Sequence, residues 1–154
     1  MRRNARPFGL ADVDAVVALE RAVFGDPWSK RSFQEILGFD HVRGFVLDGK
    51  AGALTGYAFC SAVADEGEVL NMAVVPAERR RGLGRRLLSA CLSWMAERGV
   101  AKVYLEVRRS NEAAIAMYAE EGFDTLGVRP NYYRKPTEDA VTMSLDLASR
   151  AARK

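Results

Sequence analysis

The sequence predicts a single α/β domain with a mixed central sheet of six to seven strands and about four flanking helices. Three observations point to it. Apolar residues recur at helical spacing in some stretches and alternate in others, giving the order helix, helix, three strands, helix, strand, helix, two strands. Residues 68–107 read as strand, helix, strand, a unit that makes its two strands parallel neighbours through a right-handed crossover. At 154 residues the chain has room for one domain, 1–154, able to bury roughly 70% of its unfolded surface.

The elements follow in order. Leu10 to Arg21 sets Val13, Val16, Val17 and Leu19 along an amphipathic helix, with Asp12 and Asp14 early, where a helix favours negative charge. Pro27-Trp28-Ser29 breaks that pattern, and Ser29 caps a short second helix bearing Phe33, Ile36 and Leu37. Gly44 to Leu47 and Ala53 to Ala62 read as strands joined by a hairpin turn at Asp48-Gly49. Glu68 to Val75 is a third strand, ended by Pro76. A helix from Leu83 to about Arg98 carries Leu83, Leu87, Leu88, Cys91, Leu92 and Met95 at helical spacing and stops at Gly99. Val103, Leu105 and Val107 alternate with Tyr104 and Glu106 on the next strand. Ser110-Asn111 caps a helix from Glu112 to about Glu121, closed by Gly122. Phe123 to Val128 and Ala140 to Leu147 form a final antiparallel pair linked by a long loop, and residues 148–154 are expected to fray.

Composition narrows the function. Apolar residues make up 49% and charged residues 28%, as in folded soluble domains. Net charge is only +3, with basic residues clustered at the N-terminus, at Arg79 to Arg86 and at Arg108-Arg109. Such clusters suit an anionic ligand; direct nucleic-acid binding is not expected. No run approaches the roughly 18 apolar residues a membrane span needs, and the start lacks the apolar core of a signal peptide, so a cytoplasmic protein without membrane partners is expected. Cys60 and Cys91 fall in apolar patterns and read as buried free thiols. The single histidine, His41, sits in a turn-like stretch and reads as a surface residue, which argues against a zinc centre and a Ser-His-Asp triad; no metal is expected.

Between Val75 and the following helix lies Arg79-Arg80-Arg81-Gly82-Leu83-Gly84-Arg85-Arg86. Gly82 and Gly84 let backbone N–H groups at the start of the helix approach phosphate oxygens, where the helix dipole adds partial positive charge. The arginines add charge-assisted donors. A P-loop would need Gly-Lys-Ser/Thr, and a dinucleotide fingerprint a third glycine where Leu87 stands. A solvated basic loop is the plain alternative. Arg-Arg-Gly-Leu-Gly-Arg after an apolar strand resembles the acyl-CoA signature of the GCN5-related N-acetyltransferases. The resemblance implies that Met72, Ala73 and Val74 with Arg80, Arg81, Gly82, Leu83, Gly84 and Arg85 bind acetyl-CoA, where the two central parallel strands splay apart.

Acetyl transfer needs a held thioester, a neutral amine and a proton for the departing thiolate. Backbone groups of Met72-Ala73-Val74 can pair with pantetheine amides as a strand would, and one N–H can polarise the thioester carbonyl. Tyr118, seven residues beyond Asn111 and on the same helix face, can protonate the thiolate, although a helical tyrosine is also ordinary packing. Glu106 can take a proton from an ammonium, or simply neutralise Arg108. Ser110 to Phe123 resembles the family's second signature, S-N-x-x-A-x-x-x-Y-x-x-x-G-F, in which the tyrosine is the general acid and the asparagine touches the cofactor.

Leu105-Glu106-Val107-Arg108-Arg109-Ser110-Asn111, Pro27-Trp28-Ser29 and Asn131-Tyr132-Tyr133 followed by Glu138-Asp139-Ala140 together resemble the RimI-type ribosomal-protein alanine N-acetyltransferases. This implies Glu106 as base and Tyr118 as acid. It also implies an acceptor site bounded by Trp28, Asn131, Tyr132 and Tyr133, with the N-terminus of a ribosomal protein as partner. Arg81 departs from the glutamine or glycine common in that turn, and Ala5-Arg6-Pro7 with its basic lead is a second departure, without an assigned role. Acetylation of a small amine or a lysine by the same fold, and a binding module for acyl-CoA or nucleic acid without turnover, are the other readings. An α-amine has a pKa near 8, so roughly one molecule in ten is neutral at pH 7, whereas a lysine offers only a few in ten thousand.

Overall fold

The structure is a computed structural model that describes residues 4–152. One seven-stranded sheet runs in the order β1-β2-β3-β4-β5-β7-β6. Its strands are β1 (Arg6–Pro7), β2 (Val42–Asp48), β3 (Leu54–Val63), β4 (Glu66–Val74), β5 (Lys102–Arg108), β6 (Asp124–Tyr133) and β7 (Glu138–Asp146). Only β4 and β5 pair in parallel, and α3 (Leu83–Glu97) joins them. The other helices are α1 (Val13–Val23), α2 (Lys30–Ile36), α4 (Glu112–Glu120) and α5 (Leu147–Ala152).

Alternation along the strands divides the apolar residues into two cores, one on each face. α3 lays Leu83, Leu87, Leu88, Cys91, Leu92 and Met95 against Leu105, Val107 and Met143, and Tyr118 and Phe123 join this cluster. On the opposite face Val13, Val16 and Val17 of α1 and Phe33 of α2 close over Tyr57, Phe59 and Ala73. Ser29 caps α2 by accepting the Ser32 N–H at 3.1 Å, and Asn111 caps α4 through Ala114 at 3.2 Å. Gly99, at φ 83°, follows the end of α3 as expected. His41 is exposed in a turn and stacks on Phe39 at 5.5 Å.

Four expectations change. Residues 10–12 form a 3-10 turn, and α1 begins at Val13. Residues 147–152 form α5 and do not fray: the Asp146 carboxylate caps it, accepting from the N–H groups of Ala148 and Ser149, and Arg150 reaches the Glu121 carboxylate at 2.9 Å. Residues 153–154 lie outside the described residues. The long loop between the last two strands is mostly strand. β6 continues to Tyr133, with an irregularity in its pairing between Arg129 and Tyr133, and β7 begins at Glu138. Arg6 and Pro7 form β1, a strand too short to show periodicity; the basic residues Arg2 and Arg3 ahead of it lie outside the described residues.

Arg6 explains that strand. Its guanidinium holds the Asp12 carboxylate at 2.8 Å and the Asp48 carboxylate at 2.6 Å, tying β1 to the start of α1 and the end of β2. Hydrogen bonding to Arg6 lowers both carboxyl groups below their ordinary value near 3.8. Because the folded values are depressed, this stabilisation is complete above that pH and is lost as the pH falls through the folded values. Arg6→Gln is expected to lower stability by on the order of 1 kcal/mol at neutral pH. Thermal melts should show the gap to the unchanged protein narrowing as the pH falls below the ordinary carboxyl value.

Candidate active site

The site begins where two strands part. β4 and β5 are paired from Glu66↔Lys102 to Val69↔Leu105. Beyond that point β4 follows β3, with Met72↔Ala58 and Val74↔Gly56, while β5 follows β7, with Glu106↔Thr142 and Arg108↔Ala140. Leu70 causes the parting locally. It is an extra residue in β4, since Phe59 pairs with Asn71 and Cys60 with Val69, and such a bulge bends its strand and increases its twist. The facing edges of Asn71–Val74 and Glu106–Arg108 therefore have no ladder partner in each other. This is the expected splay of the central strands.

The basic turn lies directly after the freed edge of β4. A 3-10 turn over Pro76–Glu78 leads into Arg80 at φ 67° and Gly82 at φ 76°, the residue that precedes α3. The N–H groups of Leu83, Gly84 and Arg85 in the first turn have no carbonyl behind them in the helix and point out of its N-terminus. Gly82 is needed for its left-handed backbone. Gly84 serves packing as well: a Cβ there would stand 3.2 Å from Met117 Sδ on α4. The arginines divide their work. Arg79 donates to the Val74 carbonyl at 3.3 Å, and Arg81 pairs with Glu78 at 3.0 Å. The Arg85 side chain turns to Glu120 at the end of α4 and to Glu121 just beyond it, leaving its backbone N–H to the cradle.

Tyr118 and Glu106 flank the parting. Tyr118, on α4, is 6% exposed, and its hydroxyl lies 3.9 Å from Met72 Sδ, so this side chain reaches from α4 to the freed edge of β4. Its ring meets Phe123 edge-on at 5.5 Å. Burial raises its pKa and keeps the phenol protonated at neutral pH. Asn111 sits at the head of the same helix, its Oδ1 taken by the cap, so its amide N–H groups are what remain for a ligand. Glu106 faces away from the α3 side. Its Oε2 is buried and lacks a hydrogen-bond partner, and Arg129 Nε stands 3.7 Å away. Arg108 does not need it, because Arg108 pairs with Glu138 at 3.2 Å and donates to the carbonyls of Arg134 and Pro136. The reading of Glu106 as the partner of Arg108 is therefore overturned.

Two walls border the open face around Glu106. On one side Trp28, in the segment between α1 and α2, packs on Phe33 at 5.4 Å and Phe59 at 6.1 Å. On the other, Asn131, Tyr132 and Tyr133 end β6. Tyr132 and Tyr133 meet edge-on at 5.1 Å, Arg129 lies over Tyr132, and Arg108 lies over Tyr133 at 4.6 Å. Burial first, then the charge of Glu106, pushes the Tyr133 hydroxyl up to about 12. Asn131 adopts φ 53° and donates its N–H to Asp139 at 3.0 Å, which fixes this bend. The walls touch, since a Cβ on Gly25 would collide with the Lys135 carbonyl oxygen. Arg129, Gly25 and a buried glutamate, Glu20, were not among the residues singled out from sequence. Arg129 sat in a segment read as loop, and a glycine whose need is steric contact leaves no local signal.

Cys60 and Cys91 are buried and free, and hydrogen bonding with Cys60 followed by burial raises the Cys91 thiol well above its ordinary value. Neither is a ready acyl carrier. A hollow of about 300 Å³ lined by Asn4, Ala5, Arg85, Arg86, Ser89 and Ala90 contains none of Glu106, Tyr118, Trp28 or Tyr132 and is not this site. Among the described residues no helix is long and apolar enough to cross a membrane.

A sequence profile described as the acetyltransferase (GNAT) family matches residues 13–123. The chain belongs to the acetyltransferase (GNAT) family. It is 38% identical over 141 residues to the [ribosomal protein bS18]-alanine N-acetyltransferase of Escherichia coli K12, covering 89% of this chain and 93% of the relative. It is 41% identical over 142 residues to the N-alpha-acetyltransferase RimI of Mycobacterium tuberculosis, covering 88% and 87%. The crystal structure of the ribosomal-protein-S18-alanine N-acetyltransferase from Escherichia coli superposes with a TM-score of 0.84 at 34% identity, covering 95% of this chain and 94% of that one.

Gly82→Ala in this GNAT chain forces a side chain into the left-handed region and is expected to cost about 1–2 kcal/mol of stability. Titration calorimetry should show coenzyme A affinity reduced as the first turn of α3 shifts.

Proposed function

We propose that this protein is an N-α-acetyltransferase that uses acetyl-CoA to modify the N-terminal alanine of a small-subunit ribosomal protein, acting as a single domain in the cytoplasm. The observation that carries the chemistry is Glu106 Oε2, a buried carboxylate oxygen without a hydrogen-bond partner, on β5 just past the point where β4 and β5 part. An incoming ammonium supplies what that oxygen lacks. Acetyl-CoA supplies an activated acetyl group.

Each residue then has a role. The freed edge of Met72, Ala73 and Val74 binds the pantetheine amides, and Gly82, Leu83, Gly84 and Arg85 offer N–H groups to the pyrophosphate with Arg80 and Arg81 alongside. The Asn111 amide adds a cofactor contact. Glu106 accepts a proton from the α-ammonium, and the freed amine attacks the thioester carbonyl, forming the C–N bond. As the C–S bond breaks, Tyr118 gives its proton to the sulfur, and the extra proton left on the new amide nitrogen departs to restore the phenol. The two substrates react directly, consistent with two buried cysteines and with a Cys91 thiol whose pKa is raised.

The groove favours an α-amine. The segment carrying Trp28 meets the turn after the Tyr132-Tyr133 bend at Gly25 and Lys135, which suits a chain end better than a long side-chain stem. The Escherichia coli relative named above as a ribosomal-protein alanine N-acetyltransferase supports the acceptor, and the Mycobacterium tuberculosis relative, named an N-alpha-acetyltransferase, supports the α-amine.

Release of coenzyme A thiol from acetyl-CoA with a peptide beginning Ala-Arg-Tyr tests the function. Rapid release with the free peptide and none with the same peptide blocked at its N-terminus is the expected result. Negligible release from both, with acetyl-CoA still bound, moves the acceptor to a small amine or a lysine. Glu106→Gln and Tyr118→Phe are each expected to cut kcat by roughly 10²–10⁴ with coenzyme A affinity nearly unchanged, measured by steady-state kinetics and calorimetry. Unchanged rates in both variants contradict the assignments.

A further inference from the structure

Glu20 is a carboxylate the chemistry above does not use. It lies on α1, is 1% exposed, and is surrounded by the apolar cluster of α1, α2 and β3. A carboxylate in such a place is costly unless its oxygens are satisfied. Here they are. Oε2 accepts the backbone N–H of Trp28 at 2.8 Å, while Oε1 accepts the Asn71 side-chain amide at 2.8 Å and the Tyr57 hydroxyl in a short bond. The donors belong to separate parts of the molecule: the segment carrying Trp28, β3, and β4 one residue before Met72.

We propose that Glu20 is a positioning residue that sets the spacing between the acceptor wall at Trp28 and the donor strand at Met72–Val74, and thereby governs acceptor binding. The proposal rests on the roles given to those residues in the preceding section. Its physical basis is the acceptor-only character of a carboxylate, which lets one side chain take all the donors. Asn71 stands beside the Leu70 bulge, so the bond from Glu20 holds β4 just where it leaves β5. The bond to Trp28 adds a backbone tie, at Trp28 itself, to a segment otherwise held there by the contacts of its ring and at Gly25 by Lys135. Glutamine in place of Glu20 has one oxygen. Keeping that oxygen on the Tyr57 and Asn71 pair turns its NH₂ toward the Trp28 N–H, donor against donor, and releases the wall.

Kinetics on Glu20→Gln and Tyr57→Phe, with acetyl-CoA and the Ala-Arg-Tyr peptide, test this. Tyr57→Phe keeps both linking bonds and serves as the structural control. Glu20→Gln is expected to raise the acceptor KM about tenfold with coenzyme A affinity within about twofold, while Tyr57→Phe lowers Tm by a few degrees and leaves the acceptor KM in place. Equal rises in the two variants, no rise in Glu20→Gln, or a parallel loss of coenzyme A affinity overturns the proposal. If Glu20→Gln does not fold, Asn71→Ala removes only the strand end of the link; a several-fold rise in acceptor KM supports the proposal and an unchanged KM overturns it. If the unaltered protein binds acetyl-CoA yet leaves the peptide untouched, the acceptor reading fails separately. Amide exchange then reads the link directly, with Trp28 N–H protected in the unaltered protein and in Tyr57→Phe and fast in Glu20→Gln. Protection retained in Glu20→Gln overturns the link.

Discussion

The parting of β4 from β5 after Val69↔Leu105 is the constraint on which the rest of the molecule depends. A sheet that closed there would pair Met72–Val74 with Glu106–Arg108 and leave no edge for a ligand. Buried backbone groups must find partners, so an edge freed inside a sheet is a standing demand for another strand-like molecule. The parting is maintained by packing: β4 is held to β3 through Val74↔Gly56, β5 to β7 through Arg108↔Ala140, and a separate core lies on each face. Helix α4 stands over the gap and delivers Tyr118 to Met72.

Charge is distributed to suit this arrangement. The acidic residues near the site are nearly all spoken for: Glu138 by Arg108 and the Ser110 N–H, Asp139 by Arg109 and the Asn131 N–H, and Glu120 and Glu121 by Arg85. These pairs shape the β6–β7 end of the groove and the α3–α4 contact. Glu106 is different. Arg129, 61% exposed, lies beyond hydrogen-bonding distance of its Oε2, and Glu68 is near enough for the two carboxylates to repel.

Much of this was legible in the sequence. Long periodic segments such as Leu83–Glu97 and alternating Val103–Val107 announced themselves, because burial on one face leaves a period of 3.6 or 2. The glycine turn was legible through chemistry, since Gly82 stands where φ is positive and only a helix start follows. What stayed hidden is tertiary. β1 is two residues long and owes its place to Arg6 reaching Asp12 and Asp48. The extended course of β6 through Arg129–Tyr133 interrupts alternation with Pro130 and a left-handed Asn131, so it reads locally as loop. Glu20 looked like any acidic residue on a helix, and only the fold brings Tyr57 and Asn71 to it.

The central claim is that both substrates meet at the strand parting between Glu106 and Tyr118. A crystal structure of the protein with a bisubstrate analogue, coenzyme A joined through an acetyl bridge to the α-amine of an Ala-Arg-Tyr peptide, tests it most directly. The expected structure has pantetheine amides paired with the edge of Met72–Val74, the sulfur within about 3.2 Å of the Tyr118 hydroxyl, and the peptide nitrogen reaching Glu106 directly or through one water. A peptide nitrogen lodged away from Glu106, or pantetheine bound elsewhere than the parting, contradicts it.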